Sequence, residues 1–183
     1  MVEKGGERMG EKELIRRVQA GDASALEALI ASYYPLVLGY FFRNTRDSHL
    51  SKDLTQEVFI KVAAGIGQYR AYGPFKNWLF TVCSNHLKNH WRTLARAPDF
   101  TELTENVVSH DRMIDQVTAK SDVNAMLERL PAEQREAVIL RFYSGFSIRE
   151  IARITRAKET TVKARIRYAL QKLKQDLEGY EHE

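Results

Sequence analysis

Apolar residues recur at spacings of three and four along almost the whole chain, from Leu14 to Leu177. This spacing gathers them on one side of an α-helix, and no stretch has the alternation expected of a half-buried strand. The repeat disappears once, between residues 97 and 118, where Ser, Thr, Asn and acidic residues prevail. The pattern predicts an all-α protein in which two small helical domains are joined by a polar linker.

The domain boundaries follow from where the helical repeat begins, stops and resumes. We predict a disordered tail over residues 1–10, a first domain over 11–96, a flexible linker over 97–120 and a second domain over 121–179. Within 97–118 there are five acidic residues and one arginine, a net charge of −4. This composition is typical of a solvated connection rather than of a packed helix.

The composition narrows the class of protein. The single cysteine, Cys83, excludes an intrachain disulfide, and its apolar helical surroundings indicate a packing role. No uninterrupted apolar run reaches the roughly 18 residues of a membrane span, and the charged N-terminus does not resemble a signal peptide. We therefore expect a cytoplasmic protein without membrane insertion. Its pI of about 9.2 favours a polyanionic partner.

The C-terminal third has the pattern of a helix-turn-helix. Ser147 and Glu150 match an S-x-x-E capping box, which predicts a short helix ending near Thr155 and followed by a longer helix. Between residues 153 and 174 there are eight basic residues and one acidic residue, Glu159. An apolar stripe with a basic face opposite is typical of a helix that binds in the DNA major groove.

A second basic helix is predicted in the N-terminal half, from about Phe75 to Leu94. The segment from Lys76 to Arg96 has no acidic residue, and His, Asn and Trp side chains are interleaved with its cations. Cations neutralise a nucleic-acid backbone, while amides and aromatic rings contact unpaired bases. This helix therefore suits a melted DNA strand.

Three motifs, in this order, resemble conserved regions of bacterial sigma factors. The segment Asp53–Val62 resembles the D-L-x-Q-E-x-F-x-K stretch of region 2.2, and Phe75–Leu87 resembles regions 2.3 and 2.4. The segment Leu130–Arg165 resembles region 4 through L-P-x-x-x-R, G-F-S-x-x-E-I-A and T-V-K-A-R. The chain is thus similar, over residues 14–177, to the extracytoplasmic-function type, which keeps only the two end domains.

The resemblance implies an alternative sigma factor that directs core RNA polymerase to promoters. The first domain would dock on the clamp helices of the largest polymerase subunit, and the flap of the polymerase is a further expected contact. The residues implied in polymerase binding are Asp53, Leu54, Gln56, Glu57 and Lys61. An anti-sigma factor, inserted between the two domains, is expected as another partner.

The resemblance also implies two contacts with promoter DNA. The first domain would melt the minus-10 element and hold flipped bases in a pocket beneath the loop before the long helix. The residues implied there are Tyr69, Phe75, Lys76, Asn85, Lys88, Asn89 and Arg92, of which Tyr69, Phe75 and Asn85 would form the pocket.

The second domain would read the minus-35 element as duplex DNA. The residues implied there are Lys158, Thr160, Thr161, Lys163, Ala164, Arg165, Arg167 and Tyr168. One position departs from the family: Arg156 stands in the turn where glycine is usual, and Lys158 stands where a capping Ser is common. We therefore expect an atypical turn before the recognition helix.

Two other classes of protein are alternatives. A stand-alone helix-turn-helix regulator would explain residues 122–177 but not the Asp53–Val62 segment or the acid-free helix. A nuclease would use Asp53 and Glu57 as metal ligands, yet no further carboxylate or His completes a site there. His86 and His90 likewise lack a third ligand. We expect no metal, no cofactor and no enzymatic activity.

Overall fold

The computed structural model describes residues 10–70, 73–96 and 121–180. Within these ranges all regular structure is helical and no strand occurs, which confirms the predicted all-α class. The predicted linker over 97–120, and residues 1–9 of the predicted tail, lie outside the described residues.

The described part of the N-terminal domain contains four α-helices and one short 3-10 helix. Two aspartates define the starts of its central helices: Asp22 accepts a hydrogen bond from the Ala25 amide at 3.1 Å, and Asp47 accepts one from the His49 amide at 2.8 Å. The elements are α1 (Glu11–Gln19), α2 (Ala23–Thr45), α3 (Ser48–Gly65), the 3-10 helix Ile66–Gln68, and α4 (Phe75–Leu94).

Pro35 predicts a kink or a break near Tyr34, but helix α2 continues through this residue without a break. Proline removes one intrahelical hydrogen bond. Residues on both sides of it, Leu29 and Val37, are nevertheless buried in the same core. This shared packing holds the two halves of the helix together.

By length and composition alone, α2 could also cross a membrane. The central helix of a compact domain has the same character, and here α2 packs against α1, α3 and α4. Its residues Leu29, Val37 and Phe41 are enclosed by those helices. We therefore interpret α2 as the core helix of the domain.

The C-terminal domain is built from short helices followed by one long one. They are α5 (Ser121–Glu128), α6 (Ala132–Val138), a π-helical turn over Ile139–Tyr143, α7 (Ile148–Thr155) and α8 (Glu159–Tyr180). Pro131 precedes α6 as its N-cap instead of occupying the first helical position. The predicted capping box of α7 is confirmed: the Glu150 amide donates to Ser147 Oγ, and the Ser147 amide donates to Glu150 Oε2 at 2.8 Å.

The two domains pack directly against each other, an arrangement that the sequence did not indicate. The rings of Phe80 in α4 and Phe146 before α7 meet edge to face, with centroids 4.9 Å apart. Buried residues of both domains form one continuous apolar cluster. As a result, one side of α4 faces α7 rather than solvent.

Candidate polymerase and nucleic-acid interfaces

The exposed side of α3 brings together four of the five residues predicted to bind polymerase. Asp53, Gln56, Glu57 and Lys61 are all exposed on this face. The fifth, Leu54, is only 3% exposed and belongs to the domain core, because its position in the helical repeat points inward.

The centre of the same face is occupied by Ile60, which is 69% exposed and was not singled out from the sequence. A large exposed aliphatic side chain among charged neighbours combines apolar burial with charge pairing, as protein interfaces do. The sequence could have predicted this position, because Ile60 follows Gln56 by four residues and therefore lies on the same face of the helix. We call this surface, Asp53, Gln56, Glu57, Ile60 and Lys61, the α3 face.

Two charged residues of the α3 face lie against His86 of α4. Lys61 Nζ lies 2.5 Å from His86 Nδ1, and Glu57 Oε2 lies 2.7 Å from His86 Nε2. Burial, and then the charge of Lys61, lower the pKa of His86 below its ordinary value, against the opposing effect of Glu57. The contact with Lys61 is a hydrogen bond, whereas the close approach of Nε2 to Glu57 lacks hydrogen-bond geometry, so His86 ties Lys61 to α4 and lies beside Glu57.

Two of the three residues predicted to form a base pocket line the same surface cavity. The cavity measures about 710 Å³ and lies between α1 and the loop that precedes α4. Tyr69 and Phe75 form part of its wall, and their rings meet edge to face at 5.5 Å. Phe75 is otherwise enclosed by the core, with 1% exposure, while Asn85 lies farther along α4 and does not line this cavity.

Gln19 positions the wall of this cavity and was missed by sequence reasoning. Its Nε2 donates to the carbonyls of Ile66 and Tyr69, at 2.9 and 3.0 Å. The Tyr69 hydroxyl in turn donates to the Gly73 carbonyl at 2.9 Å. Nothing local in the sequence could reveal the Gln19 contacts, because they join residues about fifty positions apart.

Two cations of α4 that were predicted to bind minus-10 DNA contact the C-terminal domain. Lys76 Nζ donates to the Ser144 carbonyl at 2.5 Å and lies 4.7 Å from the ring centroid of Phe146. Lys88 Nζ donates to the Thr155 carbonyl at 3.0 Å and lies 3.7 Å from a carboxylate oxygen of Glu136. Both ammonium groups are therefore engaged between the domains.

Other predicted residues of α4 remain accessible. Asn89 and Arg92 are exposed, and Arg92 Nη1 donates to Asn89 Oδ1 at 3.1 Å. Between the domains, Asn77 Nδ2 donates to Glu150 Oε1 at 3.0 Å. That amide, together with the Ser147 amide, holds the pKa of Glu150 below its ordinary value.

The helix-turn-helix is formed by α7, the turn Arg156–Lys158 and α8. On α8, Val162 and Ala169 are buried, while Ile166 and Leu173 are partly buried against the same core. The apolar stripe predicted on this helix comprises Val162, Ile166, Ala169, Leu173 and Leu177, and it packs inward except at its end, where Leu177 is 53% exposed. Helix α8 continues to Tyr180, and its last turns extend past the core.

Most of the residues predicted to contact the minus-35 element share the free side of this motif. The exposed ones are Lys158, Thr160, Thr161, Lys163, Arg167 and Tyr168. Ala164 is half-buried beside them. Arg165 differs, because its guanidinium forms an ion pair with Glu133 of α6 and its side chain is only 19% exposed.

Sequence reasoning missed a row of arginines on α7. Arg149, Arg153 and Arg156 are all exposed, and they follow one another at spacings of four and three. Among the described residues no group of three or more His, Cys, Asp or Glu side chains is arranged to hold a metal ion. Cys83 is fully buried, as its predicted packing role requires, and burial raises the pKa of its thiol.

Both domains match known protein families. Residues 29–97 match the family described as Sigma-70 region 2, and residues 121–173 match the family described as Sigma-70, region 4. The first match contains α3 and α4, and the second contains the helix-turn-helix.

The chain is also similar to known sigma factors over most of its length. It is 31% identical to the ECF RNA polymerase sigma-E factor of Haemophilus influenzae, covering 87% of this chain and 91% of that protein. It is 30% identical to the RNA polymerase sigma factor YlaC of Bacillus subtilis, covering 81% of this chain and 91% of the relative.

Two solved structures have the same fold. The sigma factor RpoE of Bartonella quintana, in complex with the anti-sigma factor NepR, gives a TM-score of 0.66 at 24% identity, covering 83% of this chain and 96% of that chain. CnrH, in complex with the cytosolic domain of CnrY, gives a TM-score of 0.67 at 20% identity, covering 91% and 96%.

The two domains match region 2 and region 4, in that order along the chain. The chain is also similar to known sigma factors over most of its length. The relatives are named as RNA polymerase sigma factors, and the solved structures share the helical fold. The chain therefore belongs to the extracytoplasmic-function family of RNA polymerase sigma factors and acts in transcription initiation.

Proposed function

We propose that the N-terminal domain docks on core RNA polymerase through the α3 face and captures the minus-10 element with α4 and the adjacent cavity. The C-terminal helix-turn-helix reads the minus-35 element. The chain has no catalytic activity of its own, and it acts in the cytoplasm, where its polymerase and promoters are. The observation that carries this proposal is the α3 face.

The α3 face suits reversible docking on another protein. It presents both signs of charge, with Asp53 and Glu57 on one hand and Lys61 on the other, around the exposed Ile60. Charges on a rim set the register of a complex, and a central apolar side chain supplies binding energy. The clamp helices of the largest polymerase subunit are the proposed partner surface, and the polymerase flap is a further contact.

The cavity beside α4 suits an unpaired base. Tyr69 and Phe75 line its wall with the edges of rings that are largely buried, and Gln19 and the Gly73 carbonyl hold Tyr69 in place. Stacking on aromatic rings tolerates any base, whereas polar groups at the edge of the ring distinguish one base from another. Asn89 and Arg92, exposed on α4, would then contact the backbone of the melted strand.

The packing between the domains sets a condition on promoter binding. In the packed form Lys76 and Lys88 are directed at the Ser144 and Thr155 carbonyls of the other domain, which stands where a DNA strand would approach them. The domains must therefore separate before α4 uses these cations on DNA. We infer that core polymerase, which binds both domains, favours the separated form.

The helix-turn-helix suits duplex DNA. Its exposed side groups Lys158, Thr160, Lys163 and Arg167 around the start of α8, and half-buried Ala164 allows close approach to base edges. We also propose an anti-sigma partner. The two similar solved structures are described as complexes with an anti-sigma factor or with a cytosolic domain.

Run-off transcription with purified core polymerase on pooled genomic promoters tests the proposal. Discrete new transcripts should appear with the native chain and disappear with Glu57→Lys or Asp53→Lys. Glu27→Lys is the matched control, because Glu27 is an exposed acidic residue on α2, outside the α3 face. If no transcripts appear while the chain alone shifts duplex DNA, a stand-alone regulator is the correct interpretation.

A further inference from the structure

Helix α1 forms one wall of the cavity beside α4, and most of its side chains there have no part in the proposed function. Glu11, Ile15 and Gln19 line the cavity and follow one another at spacings of four. This spacing places them in one row along the helix, over about 12 Å at about 1.5 Å per residue. Lys12 and Arg16 also line the cavity and form a second row beside the first.

The two polar members of the first row present hydrogen-bond acceptors to the cavity. The Nε2 of Gln19 is used by the carbonyls of Ile66 and Tyr69, which leaves Oε1 as the acceptor of this side chain. The Glu11 carboxylate has two acceptor oxygens, and the Tyr33 hydroxyl donates to one of them, Oε2. The other oxygen, Oε1, can accept from a molecule in the cavity.

The Glu11 carboxylate is held beside the aromatic wall of the cavity. Its donor, Tyr33, meets the ring of Phe75 edge to face, with centroids 5.4 Å apart. Burial, and then the nearby charge of Glu11, raise the pKa of Tyr69 above its ordinary value. The carboxylate therefore acts on Tyr69 as well as on Tyr33, and it stands next to both residues proposed to line the base pocket.

An acidic residue is unexpected on a surface that binds DNA, because it repels phosphates. The cations of the second row, Lys12 and Arg16, offset this repulsion and suit the phosphates on either side of a captured base. The two rows thus differ in chemistry: acceptors face the interior of the cavity, where a base would lie, and cations stand beside them. A carboxylate in the first row is explained by a donor on the base itself.

We propose that Glu11 determines which base the cavity accepts, by taking a hydrogen bond from an exocyclic amino group of the base. Adenine and cytosine each carry such a donor, whereas thymine and uracil carry a carbonyl oxygen at the equivalent position. Two acceptors that face each other repel, so the cavity prefers adenine or cytosine to thymine. This role of Glu11 rests on the proposed capture of a base by the cavity and adds the chemical class of that base.

Binding of labelled single strands to core polymerase carrying the full chain tests this role. Homopolymers of deoxycytidine and of deoxyuridine, about 12 nucleotides long, place the same base at every position within the length of a typical single-strand site. Their bases carry an amino group or a carbonyl oxygen at C4 and are otherwise nearly identical. We expect the deoxycytidine strand to bind about tenfold more tightly in fluorescence anisotropy, the usual size of one specific base contact.

Glu11→Gln should reduce this preference to about threefold or less, because an amide donates as well as accepts. The deoxyuridine strand should then bind more tightly than it binds the native complex, and the deoxycytidine strand relatively less. A merely structural role of Glu11 would instead weaken both strands together. Glu13→Gln is the matched control: Glu13 is an acidic residue of the same first turn that does not line the cavity. This variant loses the same charge and should keep the native preference.

Equal affinity of the native complex for the two strands would overturn the role of Glu11, as would a preference that Glu11→Gln leaves unchanged. A parallel loss of both strands in Glu11→Gln would also overturn it and assign Glu11 to packing. In each of these cases the native complex still binds single strands, so the proposed function stands. Failure of a correctly assembled native complex to bind either strand would refute base capture by the cavity and the role of Glu11 with it.

Discussion

The hydroxyl of Tyr40 in α2 donates a 2.8 Å hydrogen bond to the buried carboxylate of Glu136 in α6, 96 positions later in the chain. The other oxygen of that carboxylate lies 3.7 Å from Lys88 Nζ. Burial, and then the nearby Glu136, raise the pKa of Tyr40 well above its ordinary value, so the phenol remains a donor. A carboxylate of one domain is thus compensated by a hydrogen-bond donor and a nearby cation of the other.

Removing the phenol should therefore destabilise the protein. Tyr40→Phe leaves one Glu136 oxygen without its donor, and an unsatisfied buried acceptor costs about 1–3 kcal/mol. The free energy of unfolding in urea measures the effect, and Tyr168→Phe, at a half-exposed position, should change it little. In a double-mutant cycle with Glu136→Leu, the combined loss should be smaller than the sum of the single losses, since both partners are then apolar. Strict additivity would contradict the pairing.

Reversing the charge of Glu136 should separate the domains. Glu136→Lys places a second ammonium beside Lys88 in the interface, whereas Glu133→Lys makes the same change at an exposed position of α6. We expect a larger radius of gyration in small-angle scattering, and tighter binding of single-stranded DNA, for the first variant only. An unchanged radius would show that these polar contacts do not hold the domains together.

The pKa of His86 predicts how stability changes with pH. Because this pKa is lowered in the folded chain, the unfolded chain binds the proton more readily, and stability rises with pH. The stability associated with a neutral His86 is fully present above the ordinary histidine pKa of about 6.5. It is lost as the pH falls from there through the lowered pKa of the folded chain. The titratable groups that act on the imidazole are Glu57, Lys61 and His90.

His86→Gln should remove this part of the pH dependence. An amide can keep one contact with Glu57 or Lys61 without titrating. Urea unfolding between about pH 5 and 8, the range in which histidine titrates, should give a flatter profile for the variant than for the native chain. Parallel profiles would assign the acid sensitivity to other groups.

Glycine at the turn of the helix-turn-helix should stabilise the protein. Arg156 has φ 55°, and a left-handed residue other than glycine costs about 1–2 kcal/mol. Arg156→Gly should therefore raise the free energy of unfolding by about 1 kcal/mol. This value allows for the greater conformational entropy of glycine in the unfolded chain, which offsets part of the relieved strain. Arg153→Gly is the control within the right-handed helix and should lower it by about 1 kcal/mol. The same sign for both variants would exclude relief of backbone strain.

Local structure could be predicted from the sequence because its causes are local. The bounds of α4, Phe75–Leu94, and the capping box at Ser147 follow from periodicity and from side chains within one turn. The expectation of an atypical turn at Arg156 was wrong for the backbone, because Arg156 adopts the left-handed conformation that glycine usually adopts at a helix end. The continuity of α2 through Pro35 could not be predicted locally, because it depends on packing against other helices.

The candidate sites were predicted less completely, for the same reason. The motif around Asp53 pointed to the α3 face but included Leu54, because a family motif groups inward and outward residues, whereas the helical repeat places Leu54 inward. The engagement of Lys76 and Lys88 by the other domain joins residues more than sixty positions apart. No repeat or motif encodes such contacts, and only the three-dimensional packing reveals them.

The clearest test of the α3 face uses the residue that sequence reasoning missed. Ile60→Asp places a charge at the apolar centre of the face, where a buried anchor is typically worth 2 kcal/mol or more, so affinity for core polymerase should fall by about thirty-fold. Stability should not change, because Ile60 is 69% exposed. Leu94→Asp is the control, an exposed leucine at the end of α4. Equal polymerase affinity of the two variants in a pull-down titration without DNA would move the docking surface away from α3.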